Sequence, residues 1–181
     1  MKEVLFVHSA GPQGHFEGSD FLLSYLRKTL GNDYAIVSPE MPDPENPHYD
    51  LWSDQLEKEF AALNSNAVVV GHSLGASVVL KYLSESPQAK PVSALFLIAT
   101  PYWGEKNWEV EEYALVDDFP RKLPSIPHVF LYHSTDDEVV PVNHLERYAD
   151  DLPEAQVREC YHGGHLFSKG LPELINDIKS L

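Results

Sequence analysis

One cysteine, Cys160, is all the thiol that this sequence of 181 residues holds. A lone cysteine excludes an intramolecular disulfide and a thiolate cluster for a metal, and inside a β-rich run it reads as a small buried hydrophobe rather than a nucleophile. Basic residues are also scarce, with 13 Lys and Arg against 28 Asp and Glu, for a net charge of -15. Such a surface repels phosphate backbones and anionic lipid, so neither nucleic acid nor membrane is expected as a main partner, and the charge is read as solubilising. Long apolar runs are missing too. Val4-Leu5-Phe6-Val7 is too short for the core of a signal peptide, and no segment nears the length of a membrane span, so a cytoplasmic, reducing environment is expected. No Gly-x-Gly-x-x-Gly follows a strand, so no nucleotide cofactor is expected. No repeat or low-complexity linker divides the chain, and a single domain over residues 1–181 is the expectation.

The 43% hydrophobic content is enough for a substantial core. Strand-like runs lie at Val4–His8, Tyr34–Ser38, Ala67–Gly71, Ala94–Ala99, His128–His133 and Gln156–Cys160. Several are continuously apolar, the pattern of strands buried on both faces of a parallel sheet. Helix-like stretches alternate with them at about Ser19–Leu30, Tyr49–Leu63, Leu74–Ser84, Val142–Asp150 and Leu171–Ser180. In the second, Leu51, Gln55, Leu56, Glu59, Phe60 and Leu63 give a stripe at three- and four-residue steps. This order predicts an α/β three-layer sandwich on a mostly parallel six-stranded sheet. Two segments break the rhythm: the proline-rich Ser38–Pro47, which must be a loop, and residues 102–124 between the fourth and fifth strands.

The most specific chemical signal is Gly71-His72-Ser73-Leu74-Gly75, directly after Val68-Val69-Val70 and directly before a helix-like stretch. Strand, Gly-x-Ser-x-Gly and helix together describe a nucleophile elbow, a turn so sharp that the serine takes a strained conformation and presents its hydroxyl toward solvent. Leu74 would offer a free backbone N–H at the helix N-terminus, where negative charge is favoured. A serine hydroxyl needs a base, and the base an orienting acid. Both are expected on loops at the carboxyl ends of later strands, in the chain order Ser, Asp, His. Asp136-Asp137-Glu138-Val139-Val140-Pro141 follows the fifth strand, and Gly163-Gly164-His165 the sixth. His165 is the expected base; His162 is its competitor, with His133 and His144 more distant. Asp136 and Asp137 point opposite ways on an extended segment, and the Asp-x-Val-Val-Pro register favours Asp137, leaving Asp136 to stabilise the turn. A second oxyanion donor is expected in His8-Ser9-Ala10-Gly11-Pro12, where Ala10 N–H is the choice because Pro12 has none. Tyr102, Trp103, Trp108, Tyr113 and Phe119 on the long connection are expected to form a short lid or pocket wall; His8, His72, Tyr102, Trp103 and Trp108 are the candidate pocket residues. His162-x-x-His165 lacks a helix and a matching carboxylate, so no metal is expected.

With these residues in view, the chain resembles the α/β-hydrolase superfamily along nearly its whole length, and within it the small, nearly lidless serine hydrolases of the retinoblastoma-binding-protein-9 type. The resemblance rests on Phe6-Val7-His8-Ser9, the Gly71–Gly75 elbow, Ser134-Thr135-Asp136-Asp137 with its Val-Val-Pro tail, and Gly164-His165. It implies a reduced α/β-hydrolase fold with Ser73, Asp137 and His165 as a catalytic triad. Two features depart from the family pattern. His8-Ser9 stands where many relatives have His-Gly, and the Leu-x-Cys-x-Glu motif for binding the retinoblastoma protein is absent, so that function does not carry over. The expected activity is hydrolysis of small esters, thioesters or amides through an acyl-enzyme, by a monomer or homodimer acting on a small-molecule acyl substrate. The rival is a non-catalytic protein of the same fold that binds a ligand in the same pocket.

Overall fold

Apolar runs without polar alternation demand cover on both faces, and the computed structural model, which describes residues 1–86 and 89–181, supplies it. Strands β1 (Lys2–Val7), β2 (Tyr34–Val37), β3 (Val68–His72), β4 (Ala94–Ile98), β5 (His128–Ser134) and β6 (Gln156–Cys160) form one sheet in the order β2-β1-β3-β4-β5-β6. Every neighbouring pair is parallel, so the sheet is parallel throughout rather than mostly so. The fully buried β3 and β4 sit at the centre. Polar β6 (Gln-Val-Arg-Glu-Cys) lies at an edge, where solvent can take its charged side chains.

Helices α1 (Asp20–Leu30), α2 (Tyr49–Ala62), α3 (Leu74–Glu85), α4 (Phe119–Lys122), α5 (Asn143–Asp151) and α6 (Pro172–Lys179) fill the connections. Strand side chains alternate between two cores. Val4, Phe6, Val70, Phe96 and Phe130 point to the layer of α1 and α6, while Leu5, Val7, Val69, Leu97 and Leu131 point to that of α2, α3 and α5. The result is the three-layer α/β-hydrolase architecture. On α2 the buried column is Trp52, Leu56 and Phe60, with Tyr49 and Leu63. Leu56, Phe60 and Leu63 of the expected stripe are buried, but Leu51 is 46% exposed, because the helix turns the neighbouring Trp52 indole into the core in its place.

The 102–124 connection holds a short 3-10 turn (Glu111–Tyr113) and α4, and it is fastened along α3. Trp103 Nε1 donates to Ser77 Oγ at 2.9 Å, and Lys81 Nζ donates to Ala114 O at 2.8 Å. Because all strands are parallel, the elbow after β3, the acid loop after β5 and the histidine loop after β6 emerge at the same end of the sheet.

Candidate active site

Ser73 has φ +53° and ψ -122°, a conformation that L residues avoid and that is held only where the surroundings enforce it. Here its N–H donates to Ile98 O on β4 at 2.8 Å, and α3 begins at the next residue. Two glycines make the turn possible. A Cβ on Gly71 would lie 2.6 Å from Ala76 Cα, and one on Gly75 would lie 2.3 Å from His8 O and 2.6 Å from Val7 O. The helix N-terminus therefore presses against the carboxyl end of β1, bringing the His8–Ala10 loop beside Leu74. Gly75→Ala is expected to destabilise the fold by about 3 kcal/mol, since the obstructing atoms are backbone and cannot swing away. In thermal melts that amounts to a Tm lower by roughly 6–12 °C, and an unchanged Tm would contradict the close approach.

The loop after β5 cradles the loop after β6 through consecutive amides. Gly163 N–H donates to Ser134 Oγ at 2.9 Å, Gly164 N–H to Asp136 Oδ1 at 2.9 Å, and His165 N–H to Glu138 Oε2 at 3.2 Å. Ser134 Oγ also donates to Asp136 Oδ1. Gly163 leaves space that Phe167 fills, since a Cβ there would meet the ring at 2.6 Å. Held this way, His165 presents Nε2 to Ser73 Oγ at 3.0 Å and Nδ1 to Asp137 Oδ2 at 2.8 Å. Ser73 is 8% and His165 6% exposed, so the hydroxyl faces the imidazole rather than standing out in solvent.

The two aspartates have different surroundings. Asp137 lies buried on the imidazole, whereas Asp136 is half-exposed and ties the turn to Gly164. Asp137 Oδ1 accepts the Val139 and Val140 N–H groups at 2.8 Å each. Oδ2 faces His165 and also His133 Nε2, 3.2 Å away, which donates to Val140 O at 2.8 Å. Burial alone would raise the Asp137 carboxyl, but hydrogen bonding from His133, His165 and the Val140 amide outweighs it and holds the group well below the usual carboxylate range. This is the buried carboxylate needed to hold a proton on Nδ1 and leave Nε2 free as an acceptor. His133 is a contact that sequence reasoning missed; its only signal was the four-residue spacing to Asp137. His162 is almost fully exposed, 4.0 Å from Asp136, and takes no part. His144 accepts the Tyr102 N–H at Nδ1 and holds the start of the long connection.

The other candidate residues are distributed more widely than expected. Leu74 is the first residue of α3, so its N–H has no intrahelical acceptor. Ala10 is exposed and its N–H makes no hydrogen bond among the described residues. Its loop is pinned by Gly11 N–H to Pro44 O (2.6 Å) and by Gln13, which donates to Ser9 O and accepts from Met41 N–H. His72 is no pocket wall: it is fully buried, between Ser19 Oγ and His165 O. His8 packs edge-on against Phe6 and lines a cavity of about 340 Å³ with Gln13, Arg27 and Ser38; burial lowers its pKa. Tyr102 and Trp103 line a cavity of about 430 Å³ with Phe119, Arg147 and Tyr148, and neither Ser73 nor His165 borders it. Trp108 stacks edge-on against Trp103 and His144. These aromatics fasten the connection to the body of the protein, because an indole on a long loop is buried most readily against the nearest helix. Among the described residues, no three His, Cys, Asp or Glu side chains are grouped to hold a metal ion, and no helix is long and apolar enough to cross a membrane.

The chain is similar to known serine hydrolases in sequence and to a solved structure in fold. A family model described as "Serine hydrolase" matches residues 17–171. The serine hydrolase RBBP9 of Rattus norvegicus is 27% identical over 162 residues, covering 87% of this chain and 84% of that protein. The putative hydrolase YdeN of Bacillus subtilis (strain 168) is 26% identical over 169 residues, covering 91% and 85%. The crystal structure of the ydeN gene product from B. subtilis superposes with a TM-score of 0.79 at 21% identity, over 99% of this chain and 98% of that one.

Proposed function

The chain belongs to the serine hydrolase family, and from that premise we propose that it cleaves small carboxylic esters, with thioesters or amides as chemical neighbours, through an acyl-enzyme on Ser73. The observation that carries this reading is the buried line from Asp137 through His165 to Ser73, at 2.8 and 3.0 Å. Ser73 Oγ attacks the acyl carbonyl carbon while His165 Nε2 takes its proton, and the imidazolium is stabilised by Asp137 at Nδ1. The carbonyl electrons move onto oxygen, where the N–H groups of Leu74 and Ala10 receive them. Collapse expels the alkoxide, which leaves with the proton from Nε2. Water, deprotonated by the same nitrogen, then attacks the acyl-serine, releases the acid and returns the proton to Ser73.

The partner on this reading is a small acyl compound. The net charge of -15 and the single cysteine support a free life in the cytoplasm without nucleic acid or membrane. A fluorophosphonate probe is expected to attach covalently to Ser73, read as added mass on the peptide that carries it, and short p-nitrophenyl esters are expected to turn over. A correctly folded protein that neither takes the label nor hydrolyses the esters would refute the proposal and favour a ligand-binding role for the same fold.

A further inference from the structure

Behind Ser73 a buried polar line runs from the loop after β1 to the backbone of His165. Its members Ser9, Ser19 and His72 are 5%, 1% and 0% exposed. Ser9 N–H donates to Ser19 Oγ at 2.8 Å, and the two serine hydroxyls are 2.6 Å apart. Ser19 Oγ lies 2.9 Å from His72 Nδ1, and His72 Nε2 lies 2.8 Å from His165 O.

The acceptors fix where each proton sits. A carbonyl oxygen can only accept, so Nε2 of His72 carries the hydrogen given to His165. Burial, followed by the proximity of His165, pushes the His72 imidazole down to about 3, which keeps it neutral and leaves Nδ1 as an acceptor. Ser19 must therefore donate to Nδ1, and its lone pairs take both the N–H and the O–H of Ser9. Ser19 immediately precedes α1, where a serine ordinarily accepts a first-turn amide, yet it makes no capping bond. Its hydroxyl is turned toward the histidine instead.

We infer that His72 and Ser19 are positioning residues that join the loop bearing His165 to the loop bearing Ala10. The inference rests on the serine hydrolase reading above. The His165 peptide is clamped on both sides, its N–H by Glu138 and its C=O by His72. Ser9, through Ser19, ties the residue before Ala10 to the same clamp. One hydrogen-bonded unit thus aligns the base that takes the proton and the backbone donor that receives the oxyanion. Both act only in the transition state, so the unit governs kcat far more than KM.

The test measures p-nitrophenyl acetate hydrolysis by the full chain and by Ser19→Ala, His72→Leu, His72→Gln and the double variant Ser19→Ala/His72→Leu. His72→Leu is expected to lose about 100-fold in kcat with KM little changed, the scale set by small misplacements of reacting groups. Ser19→Ala is expected to lose roughly 10-fold, and the double variant no more than His72→Leu alone, because the two residues act as one unit. His72→Gln keeps a donor for His165 O and is expected to recover most of the loss. The low-field proton resonance of the Asp137–His165 hydrogen bond should broaden or move in His72→Leu and return in His72→Gln, a signature that loss of fold stability alone would not give. If His72→Leu does not fold, Ser19→Ala decides, and a kcat equal to wild type overturns the inference. Multiplicative losses in the double variant, or unchanged kcat in folded His72→Leu, overturn it as well. Absence of wild-type hydrolysis would strike instead at the serine hydrolase reading.

Discussion

Ser73→Ala is expected to reduce kcat toward a short p-nitrophenyl ester by about 10⁵–10⁶-fold, the scale seen when a triad nucleophile is removed. The alanine keeps φ +53° as the serine does, since both carry a Cβ, and Gly71 and Gly75 still permit the turn. What disappears is one oxygen, 3.0 Å from His165 Nε2. No neighbouring hydroxyl can replace it: Ser77, one helical turn on, is bonded to Trp103 and Pro101 O, and Ser9 and Ser19 are engaged with each other behind His72. The residual rate should come from the backbone oxyanion donors and substrate binding alone, and adding His165→Ala should lower it little further, because serine and histidine act as a unit. The measurement is steady-state hydrolysis with fluorophosphonate labelling alongside. A variant that retains a tenth of wild-type kcat, or still labels at the active site, would show that another residue forms the covalent bond. Fold stability should change little, since the hydroxyl makes one hydrogen bond in the resting site.

Much of this arrangement was legible in the sequence because steric necessity wrote it there. Gly71 and Gly75 stand where a Cβ would strike backbone, and the apolar runs of β3 and β4 announce burial on both faces. The separate placement of Asp136 and Asp137 was legible as well, because one residue along an extended loop reverses a side chain's direction. Illegible were contacts that exist only once the layers meet. Ser19 and His72 are separated by 53 residues, and neither looks unusual in its own segment. His133 occupies a position on β5 that reads as ordinary strand until the loop folds Asp137 back over it. On α2 Leu51 and Trp52 are neighbours, and only the sheet decides which is covered. Tyr102, Trp103 and Trp108 advertised an aromatic surface but not its direction. The Ser77 hydroxyl on α3 and the His144 ring on α5 hold them, and the cavity that Tyr102 and Trp103 line does not include Ser73.

Asp137→Asn is expected to lower kcat by about 10⁴-fold with KM nearly unchanged, although the side chain is almost isosteric. Four donors converge on this carboxylate: the Val139 and Val140 amides on Oδ1, and His165 Nδ1 and His133 Nε2 on Oδ2. An amide has one oxygen, and the two backbone N–H groups, which cannot turn away, will claim it. The NH₂ group must then face both imidazoles. His165 can accept such a bond only by moving its proton to Nε2, which sets an N–H against Ser73 Oγ and removes the acceptor that catalysis requires. His133 cannot adapt in the same way while its Nε2–H is held by Val140 O, so a donor–donor conflict remains inside the fold. The variant should therefore lose stability as well as rate. The carboxyl of Asp137 is depressed in the folded state, so in wild type its contribution is fully present above the unfolded value near 4 and is lost as the pH falls below it. Asparagine has no such titration, and the difference in urea midpoint between the two proteins should be largest at pH 7 and should narrow by pH 3. A constant difference across that range would mean that Asp137 contributes no linked proton. A kcat within tenfold of wild type would mean that its charge does not set the tautomer of His165.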